Sequence, residues 1–218
     1  MGLFNASLTY SRFFVEGDAH QADGFREKAM RSIRARVMRP LEVEDDDLLR
    51  SGWCRVAEPF ELEFSHNDVF YNEFINLGFR TDRWVVPTPL LKAKMREAER
   101  SYLQKKGRER MTRKEKTELK LMMSKKLRRQ LSPQTRVIDL SFSIEEGIVR
   151  FMSTSEKAGA LMSELFQKTF NLKLVPESPY TLAMRLGVNK QEERAWNDAE
   201  VTLFTEEEAR PSRASGDR

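Results

Sequence analysis

The feature that most constrains the fold is a change of hydrophobic period near Pro89. Beyond this proline, apolar residues recur every three or four positions, as in an amphipathic helix; they are Leu91, Met95, Ala98 and Tyr102. A second stripe of the same period follows Gly107 and comprises Leu119, Met122, Met123 and Leu127. Two helices joined by a short loop predict an antiparallel helical hairpin.

A capping box marks the start of the second helix. The hydroxyl of Thr112 can accept a hydrogen bond from the backbone N–H of Glu115, and the Glu115 carboxylate can reach back to the backbone of Thr112. Gly107 interrupts the helical pattern shortly before this box. We therefore expect the loop of the hairpin between Gly107 and Thr112.

Segments that favour β-strands lie on both sides of the hairpin. They cover residues 7–17, 60–65, 73–87 and 135–153. The third segment is long enough to fold back on itself about Thr81-Asp82, and the fourth has a turn signal at Glu145-Glu146-Gly147. The sequence therefore predicts two β-hairpins in addition to single strands.

Further helices are predicted beside these strands. Apolar residues four positions apart predict an amphipathic helix; they are Phe25, Ala29, Ile33 and Val37. We expect Pro40 to end this helix. A capping-box candidate at Ser153–Glu156 opens a helix whose inward residues are predicted to be Leu161, Met162, Leu165, Phe166 and Phe170. A short helix is predicted over residues 177–187.

These elements together predict an α+β fold, with a strand-rich body, flanking helices and a projecting basic antiparallel helical hairpin. The predicted parts are an N-terminal α+β part (1–88), the basic helical hairpin (89–134), a β-hairpin plus helix part (135–190) and a tail (191–218). The tail is acidic and then contains Pro, Ser and Gly, a composition that predicts disorder.

Positive charge is concentrated in the hairpin. Between Leu91 and Arg136 lie 17 of the 38 basic residues and 5 of the 34 acidic residues, so this block carries +12 and the rest of the chain −8. Lys and Arg that contact phosphates release counterions from nucleic acid and give affinity without base recognition. The predicted DNA-binding residues are Lys92, Arg96, Arg100, Lys105, Lys106, Arg108, Arg110, Arg113, Lys114, Lys116 and Lys120.

Two other interpretations of this block stay open. The five glutamates of the block can pair with the lysines and arginines at i, i+4 spacing, which would make the hairpin an ordinary solvated surface. The same cations can also dock an acidic protein partner. The apolar stripes of the two helices need cover, either in the fold or from a second subunit, and we expect a homodimer.

Residues suited to catalysis are few. His20 and His66 have no metal-ligand spacing with another His or with Cys54, the single cysteine, which we expect to be a packed thiol. The acidic run, which we define as Glu42, Glu44, Asp45, Asp46 and Asp47, could serve a metal-dependent exonuclease, but its carboxylates are nearly contiguous. We predict a protein without enzymatic activity, cofactor or bound metal. No apolar run approaches the roughly 18 residues of a membrane-spanning helix.

The order of several segments resembles the bacterial recombination-associated protein RdgC family, sometimes labelled putative exonuclease. The segments are MRPLEVEDDDLLRSGW (38–53), RWVVPTPLLKAKMREAE (83–99), RKEKTELK (113–120), VIDLSFSIEEGIVRFMSTSEKA (137–158) and LKLVPESPYTLAM (172–184). The likeness covers residues 3–186. Each segment is moderately specific, and their order and spacing carry the resemblance.

The resemblance implies a non-sequence-specific protein that binds double-stranded DNA in recombination or replication. The family forms a ring-shaped dimer whose basic hole encircles the duplex and which restrains a RecA-type recombinase, and it has no established catalytic site. This chain is shortened at its C-terminus relative to longer members, so an open, clamp-like dimer is an alternative to a closed ring. We expect cytoplasmic, nucleoid-associated localisation.

Overall fold

The computed structural model describes residues 9–199. Its strands form one antiparallel sheet and are Ser11–Val15 (β1), Leu49–Cys54 (β2), Phe70–Tyr71 (β3), Phe74–Arg83 (β4), Gln134–Ser143 (β5), Ile148–Phe151 (β6) and Leu174–Pro176 (β7). The order across the sheet is β2-β4-β5-β6-β1-β7, and β3 pairs with β4.

The helices of the described residues are Phe25–Arg34 (α1), His66–Val69 (α2), Thr88–Lys106 (α3), Arg113–Arg128 (α4), Glu156–Phe170 (α5), Pro179–Leu186 (α6) and Lys190–Asn197 (α7). A 3₁₀ turn covers Ala19–Gln21. The predicted α+β class is confirmed. Within residues 9–199, none of the helices combines the length and the apolar character that crossing a membrane requires.

The chain forms two compact units, with the boundary between Glu177 and Ser178. The first contains the sheet, α1, α2, α5 and the helical hairpin. In the second, α6 and α7 contact each other through the rings of Tyr180 and Trp196, whose centroids are 6.4 Å apart.

Helix α7 extends into the start of the predicted disordered tail, and for residues 191–197 that prediction is wrong. The Asn189 side chain accepts hydrogen bonds from the backbone of Gln191 and Glu192, so a capping box begins the helix. Residues 200–218 of the predicted tail lie outside the described residues.

Helices α1 and α5 pack on one face of the sheet and enclose the core. The α5 residues Phe166 and Phe170 contact Phe142 of β5 at ring-centroid distances of 5.4 and 6.1 Å. Trp53 is fully buried, and its indole N–H donates to the Thr169 hydroxyl at 2.8 Å. The strands and helices therefore share one aromatic core, in which the buried indole N–H has a hydrogen-bond partner.

Strand β4 is continuous, so the predicted β-hairpin about Thr81-Asp82 is wrong. Thr81 pairs with Arg136 and Asp82 with Thr135 in the ladder to β5. Asp82 is buried because the guanidinium of Arg80 donates two hydrogen bonds to its carboxylate, at 2.9 and 2.6 Å. The ion pair between Arg80 and Asp82 therefore allows two charged residues to be buried within a continuous strand.

The helix predicted to run to Pro40 ends at Arg34, and Val37 is not helical. Residues 36–38 instead extend beside β2, where the N–H of Trp53 donates to the Arg36 carbonyl and the N–H of Met38 donates to the Trp53 carbonyl. The chains approach this closely because residue 52 is glycine; a Cβ there would lie 2.5 Å from Met38 Cα.

Two local predictions also need correction. Residues 60–65 form no strand, and Ser65 caps α2 through a capping box with Asp68. The N-cap of α5 is Ser155 rather than Ser153. The predicted hairpin of β5 and β6 is confirmed, with Gly147 in its turn at φ 62°, a left-handed conformation that favours glycine.

Candidate nucleic-acid interface

The helical hairpin predicted from the sequence is present as α3 and α4. Helix α3 ends at Gly107, which has φ 61° and donates its N–H to the Leu103 carbonyl. Helix α4 begins with the predicted capping box: the Thr112 N–H donates to Glu115 Oε2 at 2.8 Å, and the Glu115 N–H donates to the Thr112 hydroxyl at 3.3 Å. The glycine and the threonine therefore limit the loop as expected.

Polar contacts between the helices show that they run antiparallel. The Tyr102 hydroxyl donates to Glu115 Oε1 at 2.8 Å, and Lys116 Nζ lies 2.9 Å from Glu99 Oε1. Residues late in α3 thus face residues early in α4. These contacts hold the outer part of the hairpin together where few apolar side chains are available.

The apolar stripes cover each other within the single chain. Leu119, Met123 and Leu127 are buried, and Leu91 and Met95 are half-buried. The stripes therefore find cover inside the hairpin, and they no longer argue for a second subunit.

One residue of the predicted α4 stripe is misplaced. Met122 is 58% exposed, as is its neighbour Leu121. Successive residues of an α-helix are rotated by about 100° around its axis. Met122 therefore points away from the buried face on which Met123 lies.

All eleven predicted DNA-binding residues are exposed. Two of them are engaged in ion pairs, Arg108 with Glu115 at 3.4 Å and Lys116 with Glu99 at 2.9 Å. The other nine make no ion pair with any described residue; they are Lys92, Arg96, Arg100, Lys105, Lys106, Arg110, Arg113, Lys114 and Lys120. The glutamates of the block therefore neutralise only a small part of its charge.

Five of these nine cations share one side of the hairpin. Lys94 and Ala98 of α3 line a crevice with Lys126 of α4, which defines the opposite flank. Rotation of about 100° per residue places the other flank on the far side of the buried stripes. We call its members, which have no ion-pair partner among the described residues, the basic flank: Lys92, Arg96 and Arg100 of α3, with Arg113 and Lys120 of α4.

The remaining four unpaired cations lie around the outer end of the hairpin or beside it. Lys105 and Lys106 form the last turn of α3, Arg110 lies in the loop, and Lys114 is in the first turn of α4. These four side chains extend the exposed positive charge around the outer end of the hairpin.

The acidic run contacts the inner end of α4. Glu44 lies 2.8 Å from Arg129 and Asp46 lies 3.2 Å from Lys125, while Asp45 pairs with Arg50 at 3.0 Å. A backbone hydrogen bond from Glu42 is the main cause that lowers the pKa of Asp45, and Arg50 adds to it. These carboxylates are paired with cations rather than gathered about a common point, and no group of three His, Cys, Asp or Glu within residues 9–199 could hold a metal ion.

Glu115 is the electrostatic centre of the loop end. The backbone N–H of Thr112, followed by the hydroxyls of Tyr102 and Thr112, lowers the pKa of Glu115 to about 2.

Cys54 is buried in the sheet, and burial raises the pKa of its thiol to about 12, which agrees with the expected packed thiol.

Sequence reasoning did not separate the two flanks. Lys126 is as exposed as the predicted residues and has no ion pair in the described part of the chain, yet it lies across the hairpin from the basic flank. Helical rotation from the buried Met123 would have separated Lys120 from Lys126 once the inward stripe was known.

No protein-family model matches the chain, and comparison with curated proteins gives no significant match.

Proposed function

We propose that the protein binds double-stranded DNA without sequence selectivity, through phosphate contacts made by the helical hairpin. The observation that carries this proposal is the basic flank, where five unpaired cations share one side of two antiparallel helices. Cations free of protein carboxylates are available to replace the counterions of a polyanion. Phosphate contacts carry no base identity, so unrelated duplexes should compete equally.

The spacing of the flank suits an extended ligand. Lys92, Arg96 and Arg100 are separated by one turn each and span about 12 Å along α3. Each strand of duplex DNA carries a phosphate about every 3.4 Å along the axis, so a row of three cations about 6 Å apart can contact several phosphates of one duplex. A compact anion would use one or two of them only.

We extend the proposal to the resemblance stated from the sequence. An RdgC-like protein would act in recombination or replication as a dimeric clamp or ring, would restrain a RecA-type recombinase and would associate with the nucleoid. The chain supports this by its basic block and by the order of the five resembling segments. A solution mass of twice the 25.5 kDa of one chain, measured at micromolar concentration, would support the dimer, and a monomer would contradict it.

A matched pair of charge-reversal variants tests the DNA-binding proposal. One variant carries Arg96→Glu and Lys120→Glu on the basic flank; the control carries Lys94→Glu and Lys126→Glu on the opposite flank. Both change the net charge equally and alter only exposed side chains; the control also breaks the exposed Lys94–Glu97 ion pair, which contributes little to stability.

The flank variant should bind a random duplex at least about tenfold more weakly, because two phosphate contacts are lost. The control should stay within about threefold, because exposed charges at a distance are screened. Equal losses in both variants, or no loss in either, would contradict a defined flank. If polyglutamate displaced the duplex at equal charge concentration, an acidic protein would be the better ligand. Cleavage of the duplex on addition of Mg²⁺ or Mn²⁺ would restore the exonuclease interpretation.

A further inference from the structure

A second basic surface lies apart from the two helices of the hairpin. A cleft of about 870 Å³ opens where the end of the β4–β5 ladder extends beyond the start of α5. We call it the edge cleft. Thirteen residues line it and none of them is acidic, although the chain has 34 Asp and Glu. Such a lining selects for a negatively charged ligand.

The register of the two strands explains why this end of the sheet is open. Phe79 pairs with Ile138, and both are buried beneath α5 in the core. The next pairs on the same face bring Arg136 and then Arg83 to the surface. Side chains two residues apart share a face, so the helix-covered face continues past the helix as a polar and cationic floor.

Three cations of the edge cleft have no carboxylate partner in the described part of the chain. Arg83 and Arg136 project from the strands and Lys157 from the first turn of α5, and all three are exposed. Ser155, the N-cap of α5, adds a hydroxyl at the same place. Three convergent, unpaired cations would repel one another less if an anionic group lay between them.

Beside these cations, β5 has an open backbone edge. Strand β6 pairs only with residues from Leu140 to Ser143, and the Met152 N–H donates to the Asp139 carbonyl at the end of that pairing. Within residues 9–199, nothing pairs with the first half of β5 on this side. Because successive residues point to opposite edges, Val137 and Thr135 direct their N–H and C=O groups outward, as Asp139 does.

The edge reaches the cleft itself. Thr135 lines it, while its hydroxyl donates to Asp82 on the other face of the sheet at 2.8 Å. Thr135 therefore faces the cleft with its backbone. Unpaired backbone donors and acceptors at a strand edge are a template for another strand.

Apolar side chains complete the cleft. Leu48 and Leu49 line it and are 54% and 41% exposed, and the half-buried Leu161 lies on the α5 side. A DNA backbone would neither cover exposed leucines nor pair with the alternating N–H and C=O groups of a strand edge. A peptide fits the edge and Leu161, because its backbone pairs with β5 while alternate side chains enter the cleft.

We infer that the edge cleft binds an extended peptide segment of a partner protein, which adds to β5 as a strand and places carboxylates against Arg83, Arg136 and Lys157 and an apolar side chain against Leu161. This site is separate from the basic flank and does not depend on the DNA-binding proposal. It would let one molecule hold a protein through the sheet while the hairpin holds another ligand.

The probe for this test is a fluorescein-labelled hexapeptide of alternating Glu and Val, with an alternating Lys and Val hexapeptide as its control. The acidic peptide should bind the full chain and the basic one should not. In a backbone NMR spectrum, the amide signals of Thr135 and Val137 should shift with the acidic peptide. They should stay in place with a random duplex.

Two variants separate the charge from the edge. Arg136→Glu with Lys157→Glu changes exposed side chains only and should weaken peptide binding at least about tenfold. Val137→Pro removes an outward N–H that would pair with the peptide, so it should also weaken binding. The variant should still fold, because this N–H does not pair with β4 and proline is tolerated at strand edges. The control Lys94→Glu with Lys126→Glu should bind the peptide as the parent does.

Three outcomes would overturn the inference. Peptide binding without a shift of the Thr135 and Val137 amides would reduce the site to a charged surface. Slow exchange of these two amides in the free protein would show that the edge is already covered. Displacement of the peptide by a random duplex, with shifts of the same amides, would assign the cleft to nucleic acid.

Discussion

The Tyr102 hydroxyl donates a hydrogen bond to Glu115 across the hairpin, with 2.8 Å between the two oxygens. The same carboxylate accepts the backbone N–H of Thr112 and lies 3.4 Å from Arg108. One side chain therefore caps α4, joins it to α3 and neutralises a loop cation. The geometry of the basic flank depends on this junction because the flank contains residues from both helices.

The pH dependence of the hairpin follows from this carboxylate. The pKa of Glu115 is lowered from an ordinary value of 4.5 to about 2. A lowered pKa contributes stability that is present above the ordinary value and is lost as the pH falls through the folded value. Glu115→Gln should therefore lower the melting temperature relative to the parent at pH 6, and the difference should shrink between pH 4.5 and 2.

Tyr102→Phe serves as the partner variant for that measurement. It removes the hydroxyl but leaves the capping box intact, so its melting temperature should lie between those of the parent and Glu115→Gln at pH 6. A difference between parent and Glu115→Gln that stayed constant down to pH 2 would show that the carboxylate is not held as the structure describes.

Removing one partner of the buried Arg80–Asp82 pair should destabilise the fold much more than replacing both partners with apolar residues. Asp82→Ala leaves a guanidinium that is 4% exposed without its partner, and this should lower the free energy of unfolding by about 3–5 kcal/mol. Replacing both residues, as Arg80→Met with Asp82→Leu, should cost less than Asp82→Ala alone. Denaturant unfolding of the two variants checks this order, and a costlier double variant would contradict it.

This pair also shows where sequence reasoning fails. Thr81-Asp82 looks like a turn because polar residues interrupt an apolar strand, and alternation cannot show that the neighbouring Arg80 neutralises the aspartate. By contrast, the Thr112–Glu115 cap was predicted correctly, because its partners are three residues apart and need no tertiary information. The Thr112–Glu115 signal is readable because it is local, whereas the burial of Asp82 depends on a pairing that the sequence does not display.

Gly52 should be among the least replaceable glycines of the described residues. In Gly52→Ala the new Cβ would lie 2.5 Å from Met38 Cα, a backbone atom, so the extended segment beside β2 must move. Overpacking of this kind costs about 1–3 kcal/mol of unfolding free energy. Gly159→Ala is the matched control, because its Cβ would meet only a side-chain atom of Phe13 at 3.4 Å inside a helix, where alanine is favoured over glycine. Equal losses in both variants would count against the close approach.

The same glycine explains the misassigned end of α1. The four-residue pattern from Phe25 continues to Val37, so the pattern alone predicts a longer helix. Pairing of residues 36–38 with β2 ends the helix earlier, at Arg34. The candidate site was predictable in part: its exposed cations follow from composition and spacing, but their division into two flanks required the contacts between α3 and α4.

The salt dependence of DNA binding tests the central claim most directly. With on the order of six to ten phosphates neutralised, the affinity for a random duplex should fall by about three to five decades between 50 and 200 mM salt. The variant with Arg96→Glu and Lys120→Glu should lose about two units of slope in log affinity against log salt, while the variant with Lys94→Glu and Lys126→Glu should keep the parent slope. A shallow slope for the parent, or an unchanged slope for the flank variant, would contradict the claim that the basic flank is the DNA-binding surface.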